Sequence, residues 1–226
     1  MFGHFLFNPP GDCDVHCIQL PGRENRGAEA IYTELPRLLD DLERVILPRL
    51  DGPFAFYGHS FGGIIAFELA RRLRRHGLTP RQFFCSATMA PQITLTWKNR
   101  DVMRESTIST NSEQKLIGLM SYIDDLSFVE KILPGMRRDM PLLMGYDYKL
   151  EDPLDCPILA ISAIEDEVTL PEEMAAWKNQ TSRTFRQEMV HGDHWFVSRN
   201  KDFIAELIAE TLEELEDVEG LTEELV

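Results

Sequence analysis

Compact apolar runs alternate along the chain with stretches whose apolar residues recur at helical spacing. Phe54 to Tyr57, Gln82 to Ala87 and Pro157 to Ala163 are short runs of the kind that form strands buried on both faces. Arg183 to Val190 reads as a further strand. Near the start, His4 to Phe7 and Asp14 to Leu20 read as two more, separated by Asn8-Pro9-Pro10-Gly11. Between these lie helical periods. Ile31, Leu35, Leu38, Leu39, Leu42, Val45 and Ile46 share one face and stop at Pro48. Ile64 to Arg75 continues the same period and ends at His76-Gly77. A helix starts at Pro171, with proline in its first turn, and a last one spans Lys201 to Leu215. Strands alternating with helices predict an α/β fold, a mostly parallel sheet with helices on both faces.

From about residue 97 to 148 the period changes to short helical stretches rich in methionine, including Met103, Met120, Met136, Met140 and Met144. An unbranched, flexible side chain adapts to varied shapes, so this segment is expected to be a helical lid over an apolar channel. The whole chain, 1–226, is then one domain carrying that insertion.

Charge narrows the partners. Lysine and arginine number 23 against 38 acids, a net charge of −15, which argues against nucleic acid. From Asp202 onward acids recur with no base among them, the pattern of a solvated face. The four cysteines are scattered, as buried thiols in a reducing compartment would be. Cys13, His16 and Cys17 lack a fourth ligand at matching spacing, so no metal is expected, and no cofactor. No run approaches membrane-spanning length, and a cytoplasmic location is expected. No oligomerisation face is evident, so a monomer is expected.

Candidate chemistry centres on Gly58-His59-Ser60-Phe61-Gly62, a G-x-S-x-G turn between a strand and a helix. Such a turn lifts a strained serine above the sheet. Side chains at Gly58 and Gly62 are expected to collide where strand and helix crowd together. A serine nucleophile needs a base and an acid to orient it, in the chain order serine, acid, histidine. His194 follows the last strand and is the favoured base, with His191 in the same loop as its rival. His59 adjoins the serine and is expected to pack or bond locally. Asp166 lies in the loop after the preceding strand, flanked by Glu165 and Glu167, and is the favoured acid; Asp193 sits badly to orient the ring. The backbone N–H of Phe61 is one expected oxyanion donor.

Several stretches together resemble the type II thioesterases of nonribosomal peptide and polyketide synthesis. They are Gln19-Leu20-Pro21-Gly22-Arg23-Glu24, Gly58-His59-Ser60-Phe61-Gly62-Gly63, Ala90-Pro91 and Gly192-Asp193-His194-Trp195-Phe196. Arg137-Arg138-Asp139 to Gly145-Tyr146 resembles that family's return from lid to core, and Asp166 to Thr169 with Trp177 its acid loop and following helix. The resemblance implies an α/β-hydrolase fold and a Ser60, Asp166, His194 triad. It also implies a substrate acylated on the phosphopantetheine arm of an acyl or peptidyl carrier protein. One departure stands out. The family's first strand leads to a glycine-rich loop that supplies a second oxyanion N–H, and then to a helix. Here Phe7 to Gly11 is followed almost at once by Val15 to Leu20, and Pro9 and Pro10 have no N–H to give. Gly11 is the expected substitute. Alternatives are a fatty acyl carrier protein chain-release hydrolase, a carboxylesterase, or a non-catalytic module that binds carriers. Candidate basic docking patches are Arg71, Arg72, Arg74, Arg75 and Arg81, then Lys98, Arg100 and Arg104, and Arg137 with Arg138.

Overall fold

The structure is a computed structural model that describes residues 2–6, 8–93, 135, 138–139, 141–143 and 145–223. Four parallel strands form the sheet: β1 (Ala55–His59), β2 (Gln82–Ser86), β3 (Ile158–Ala163) and β4 (Phe185–Val190), in the order β1-β2-β3-β4. Each side chain's face follows from the two-residue period of a strand. Phe83, Cys85, Ile158 and Ala160 point to one side, with α2 (Phe61–Leu73) and α3 (Pro171–Ala175). Phe84, Leu159, Ile161 and Ala163 point to the other, against α5 (Lys201–Glu223) and the short α4 (Phe196–Arg199). The helix α1 (Leu35–Ile46) buries Leu35, Leu38, Leu39 and Leu42 in a third cluster with Ile64, Leu69 and Leu73 of α2.

Trp177 anchors the α2 side. Its indole is fully buried between Phe67 and Phe83, at ring-centroid distances of 5.3 and 5.5 Å, and its Nε1–H donates to the Thr88 carbonyl at 2.6 Å. A buried indole loses its apolar surface to water and keeps its one donor satisfied.

The N-terminal region differs from expectation. Of the run His4 to Phe7, the described residues His4 to Leu6 are not a strand: Phe2–Leu6 is a 3₁₀ turn, with Phe5 buried edge-on against Tyr57. A short segment with no neighbouring strand satisfies its backbone locally, by i to i+3 bonds. Cys13 to Leu20 is extended but pairs with no strand among the described residues. The last helix runs further than the periodicity predicts, to Glu223. Most of the segment read as a lid, 94–134 with 136–137, 140 and 144, lies outside the described residues; the described positions from 135 to 145 are helical. The return from it is fastened to the Leu20-Pro21-Gly22-Arg23 turn, where Arg23 pairs with Asp139 and Arg138 donates to the Gly22 carbonyl.

The arginine cluster on α2 is largely occupied within the fold. Arg71 is buried, paired with Glu68 at 2.8 Å and Glu151 at 2.9 Å, over the rings of Phe67 and Tyr148. Arg72 pairs with Asp40 and Glu43, and Arg74 with Glu151. Three of the residues expected to offer a docking patch therefore hold elements of this chain together.

Candidate active site

Ser60 stands between β1 and α2 with φ 53° and ψ −128°, a conformation that L-residues adopt only under constraint. The surroundings supply the constraint. Ser60 N–H donates to the Ser86 carbonyl at 2.8 Å, and its own carbonyl accepts from Gly63 N–H at 2.9 Å. The Thr88 hydroxyl lies 2.8 Å from both the Ser60 and Ser86 carbonyl oxygens, its one proton shared between them. The glycines divide the work differently from expectation. A Cβ on Gly58 would come within 2.5 Å of the Gly62 carbonyl oxygen and of Gly63 Cα, both backbone. A Cβ on Gly63 would run into Thr88, whereas one on Gly62 meets no described atom within 4 Å outside its own helix backbone. Close approach of strand and helix therefore requires Gly58 and Gly63, not Gly62.

His194 is brought to the serine from the far end of the sheet. The loops after β3 and β4 are bonded to each other: Ile164 N–H donates to the Val190 carbonyl at 2.9 Å and Glu165 N–H to the Gly192 carbonyl at 3.1 Å. Gly192 turns with φ 129°, and Asp193 pins the start of α4 by accepting from Trp195 N–H and Arg199. His194 Nε2 then lies 2.9 Å from Ser60 Oγ, and Nδ1 lies 2.9 Å from Asp166 Oδ2. Asp166 is itself held from behind, its Oδ1 accepting from Val168 N–H at 2.8 Å and Thr169 N–H at 2.9 Å. Both residues are buried, Asp166 to 3% exposure and His194 to 6%. With Nδ1–H donated to the carboxylate, Nε2 offers its lone pair to the serine hydroxyl, the arrangement a general base requires.

The other candidates fall elsewhere. His191 is exposed and pairs with Glu165 at 3.1 Å, whose carboxyl is held below its usual range chiefly by the Gly192 N–H and next by His191. Gly11 has a positive φ of 56°, and a Cβ built there would come 3.7 Å from Ala209 Cβ and 4.0 Å from Glu213 Oε1 of α5. Phe61 begins α2, so its N–H has no acceptor within the helix and sits at the positive end of the helix dipole, next to Ser60 in the chain.

Beneath His194 sits a group that local pattern in the sequence does not reveal. His59 Nδ1 lies 2.9 Å from Ser86 Oγ, and Ser86 Oγ lies 2.9 Å from the Tyr57 hydroxyl. The partnership depends on register, because His59 and Ser86 are direct neighbours across β1 and β2. Burial pushes the His59 pKa well below its usual value, and the adjacent His194 ring adds to this, while the His194 backbone opposes it. Burial likewise holds the Cys85 thiol far up and that of Cys156 up at about 12, so neither is a reactive thiolate. Among the described residues no cluster of His, Cys, Asp and Glu could hold a metal, and no helix is long and apolar enough to cross a membrane.

Comparison with known proteins identifies the family. The family model described as "Thioesterase domain" matches residues 2–214. The gramicidin S biosynthesis protein GrsT of Aneurinibacillus migulanus is 33% identical over 217 residues, 93% of this chain and 82% of that protein. Among solved structures, the type II thioesterase BorB from the borrelidin biosynthetic cluster superposes with a TM-score of 0.71 at 30% identity, over 89% of this chain and 80% of that one. The RedJ thioesterase of the prodiginine pathway of Streptomyces coelicolor gives 0.71 at 30% identity, over 85% and 77%. This chain belongs to the thioesterase family and is a thioester hydrolase of α/β-hydrolase type.

Proposed function

We propose that Ser60 is the nucleophile, His194 the base and Asp166 the acid that orients it. The substrates are acyl and aminoacyl groups thioester-linked to the phosphopantetheine arm of acyl or peptidyl carrier proteins. The observation that carries the residue assignment is the pair of 2.9 Å contacts through one imidazole, from Ser60 Oγ to Nε2 and from Nδ1 to Asp166. The setting rests on relatives named for gramicidin S, borrelidin and prodiginine synthesis. In that setting a thioester hydrolase clears carriers loaded with the wrong group, or releases a finished chain.

The reaction runs in two halves. His194 takes the Ser60 proton as Oγ attacks the thioester carbonyl, and the pantetheine sulfur leaves as the acyl-serine forms. A thiol has a pKa of about 8.5, so its departure needs little general-acid help. His194 passes its proton to the departing sulfur; water then attacks the acyl-serine, giving a proton to His194, which returns it to Ser60 Oγ as that oxygen leaves and the free acid departs. The Phe61 N–H stabilises the oxygen that carries charge in both halves; losing such a donor costs about a hundred- to a thousandfold in rate. The second donor is Gly11 or another backbone amide.

Ser60→Ala, purified and folded, decides the triad. It abolishes hydrolysis of acyl-pantetheine thioesters and labelling by a fluorophosphonate; turnover equal to the parent ends the assignment. Comparing acetyl, aminoacyl and long acyl groups on carrier proteins separates clearance from chain release.

A further inference from the structure

His59 is buried to 6% exposure, and its Nε2 is enclosed without a hydrogen-bond partner among the described residues. A buried imidazole nitrogen left that way carries a desolvation cost, so its persistence calls for a reason. Its surroundings supply one. The ring lies 5.5 Å from that of His194, 6.5 Å from Trp195 and 5.9 Å from Phe196, centroid to centroid, so it touches each successive side chain of the loop that carries the base. Its other nitrogen is tied to the sheet through Ser86, which is tied in turn to Tyr57.

We propose that His59 is a positioning residue for His194: a neutral ring anchored to β1 and β2 on which the loop bearing the base rests. The proton count is consistent with this. If Tyr57 donates to Ser86, and Ser86 donates its only proton to His59 Nδ1, then Nε2 carries the remaining hydrogen and turns it toward the His194 backbone. Neutrality matters as much as position. When His194 takes the serine proton it becomes an imidazolium, and a second positive ring 5.5 Å away would oppose that step. Among the described residues, the hydrogen-bonded chains behind the two rings end at Asp166, behind His194, and at Tyr57, behind Ser86; the Asp166 carboxylate favours the imidazolium.

This inference rests on His194 being the base, so the test carries Ser60→Ala beside the His59 variants. His59→Ala and His59→Gln are assayed on an acyl-pantetheine thioester and by the rate of fluorophosphonate labelling. Gln reaches the Nε2 position with an amide N–H, whereas Ala does not. The expected result for Ala is a fall of about ten- to a hundredfold in kcat and in labelling rate, with KM held within about twofold, and Gln restores most of it. Should His59→Ala fail to fold, His59→Met, similar in bulk and without an N–H, takes its place. Parent-like kcat and labelling in the folded Ala or Met variant overturns the proposal, and so does an equal loss in Gln. Activity retained in Ser60→Ala would instead overturn the triad.

Discussion

Ser60, with its positive φ, shows how much of the site depends on single backbone positions. Gly58→Ala sets a Cβ against the backbone of Gly62 and Gly63 and is expected to cost more than about 1 kcal/mol, because neither neighbour can yield. Gly62→Ala meets open space inside α2 and is expected to be neutral, or to stabilise by up to about 1 kcal/mol, as alanine usually does in a helix. Urea titration of the two variants reads the opposite signs. Asp166→Asn keeps the shape but favours the wrong His194 tautomer, since an amide N–H in place of one oxygen no longer accepts from Nδ1. A loss of about ten-thousandfold in kcat is expected, with stability nearly unchanged. His59 adds a pH signature. Its folded pKa lies below the unfolded value of about 6.5, so both states are neutral above that pH. Below it the unfolded chain takes up a proton that the buried ring refuses, and stability falls with falling pH. Melting temperatures between pH 7.5 and 5.5 should therefore decline less steeply in His59→Gln than in the parent.

Among the elements, the region of the sheet carrying the site is fixed by the bonds between the loops after β3 and β4 and by Trp177 on the opposite side. Trp177→Ala is expected to destabilise by about 3–5 kcal/mol, measured by urea unfolding, through the lost packing on Phe67 and Phe83 and the stranded Thr88 carbonyl. The strands were readable because each is a compact apolar run bounded by turn residues, and β3, buried along its whole length, was the plainest. The serine turn was readable for a different reason: its glycines answer a local steric demand, so the signal is contiguous. His4 to Phe7 misled because so short a run, with three apolar residues, has no period of its own, and its described part pairs with no strand among the described residues. Ser86 and Tyr57 were invisible because their partnership with His59 exists only once β1 and β2 pair in register. The arginines of α2 misled in a similar way. Composition shows positive charge, but not that Glu68 on the same helix, with Asp40, Glu43 and Glu151 from distant segments, already neutralises it.

At the scale of the molecule, a net charge of −15 opposes an acidic carrier at long range. Because salt shortens the reach of that repulsion to about 10 Å at 0.1 M, kcat/KM on an acidic carrier-bound substrate should rise as ionic strength increases from very low values. The same acyl group on free pantetheine should show no such rise; equal salt dependence on both would refute repulsion between the proteins. The triad geometry also has a temporal side. Ser60 and His194 are 134 residues apart, and the alcohol leaves the ribosome long before the imidazole. A nascent chain therefore displays its reactive oxygen for most of its synthesis without the means to ionise it. With the proposed triad, hydrolytic power would arrive late and all at once, when the fourth strand docks on the third, and a fragment stopped short of that point would be inert toward thioesters.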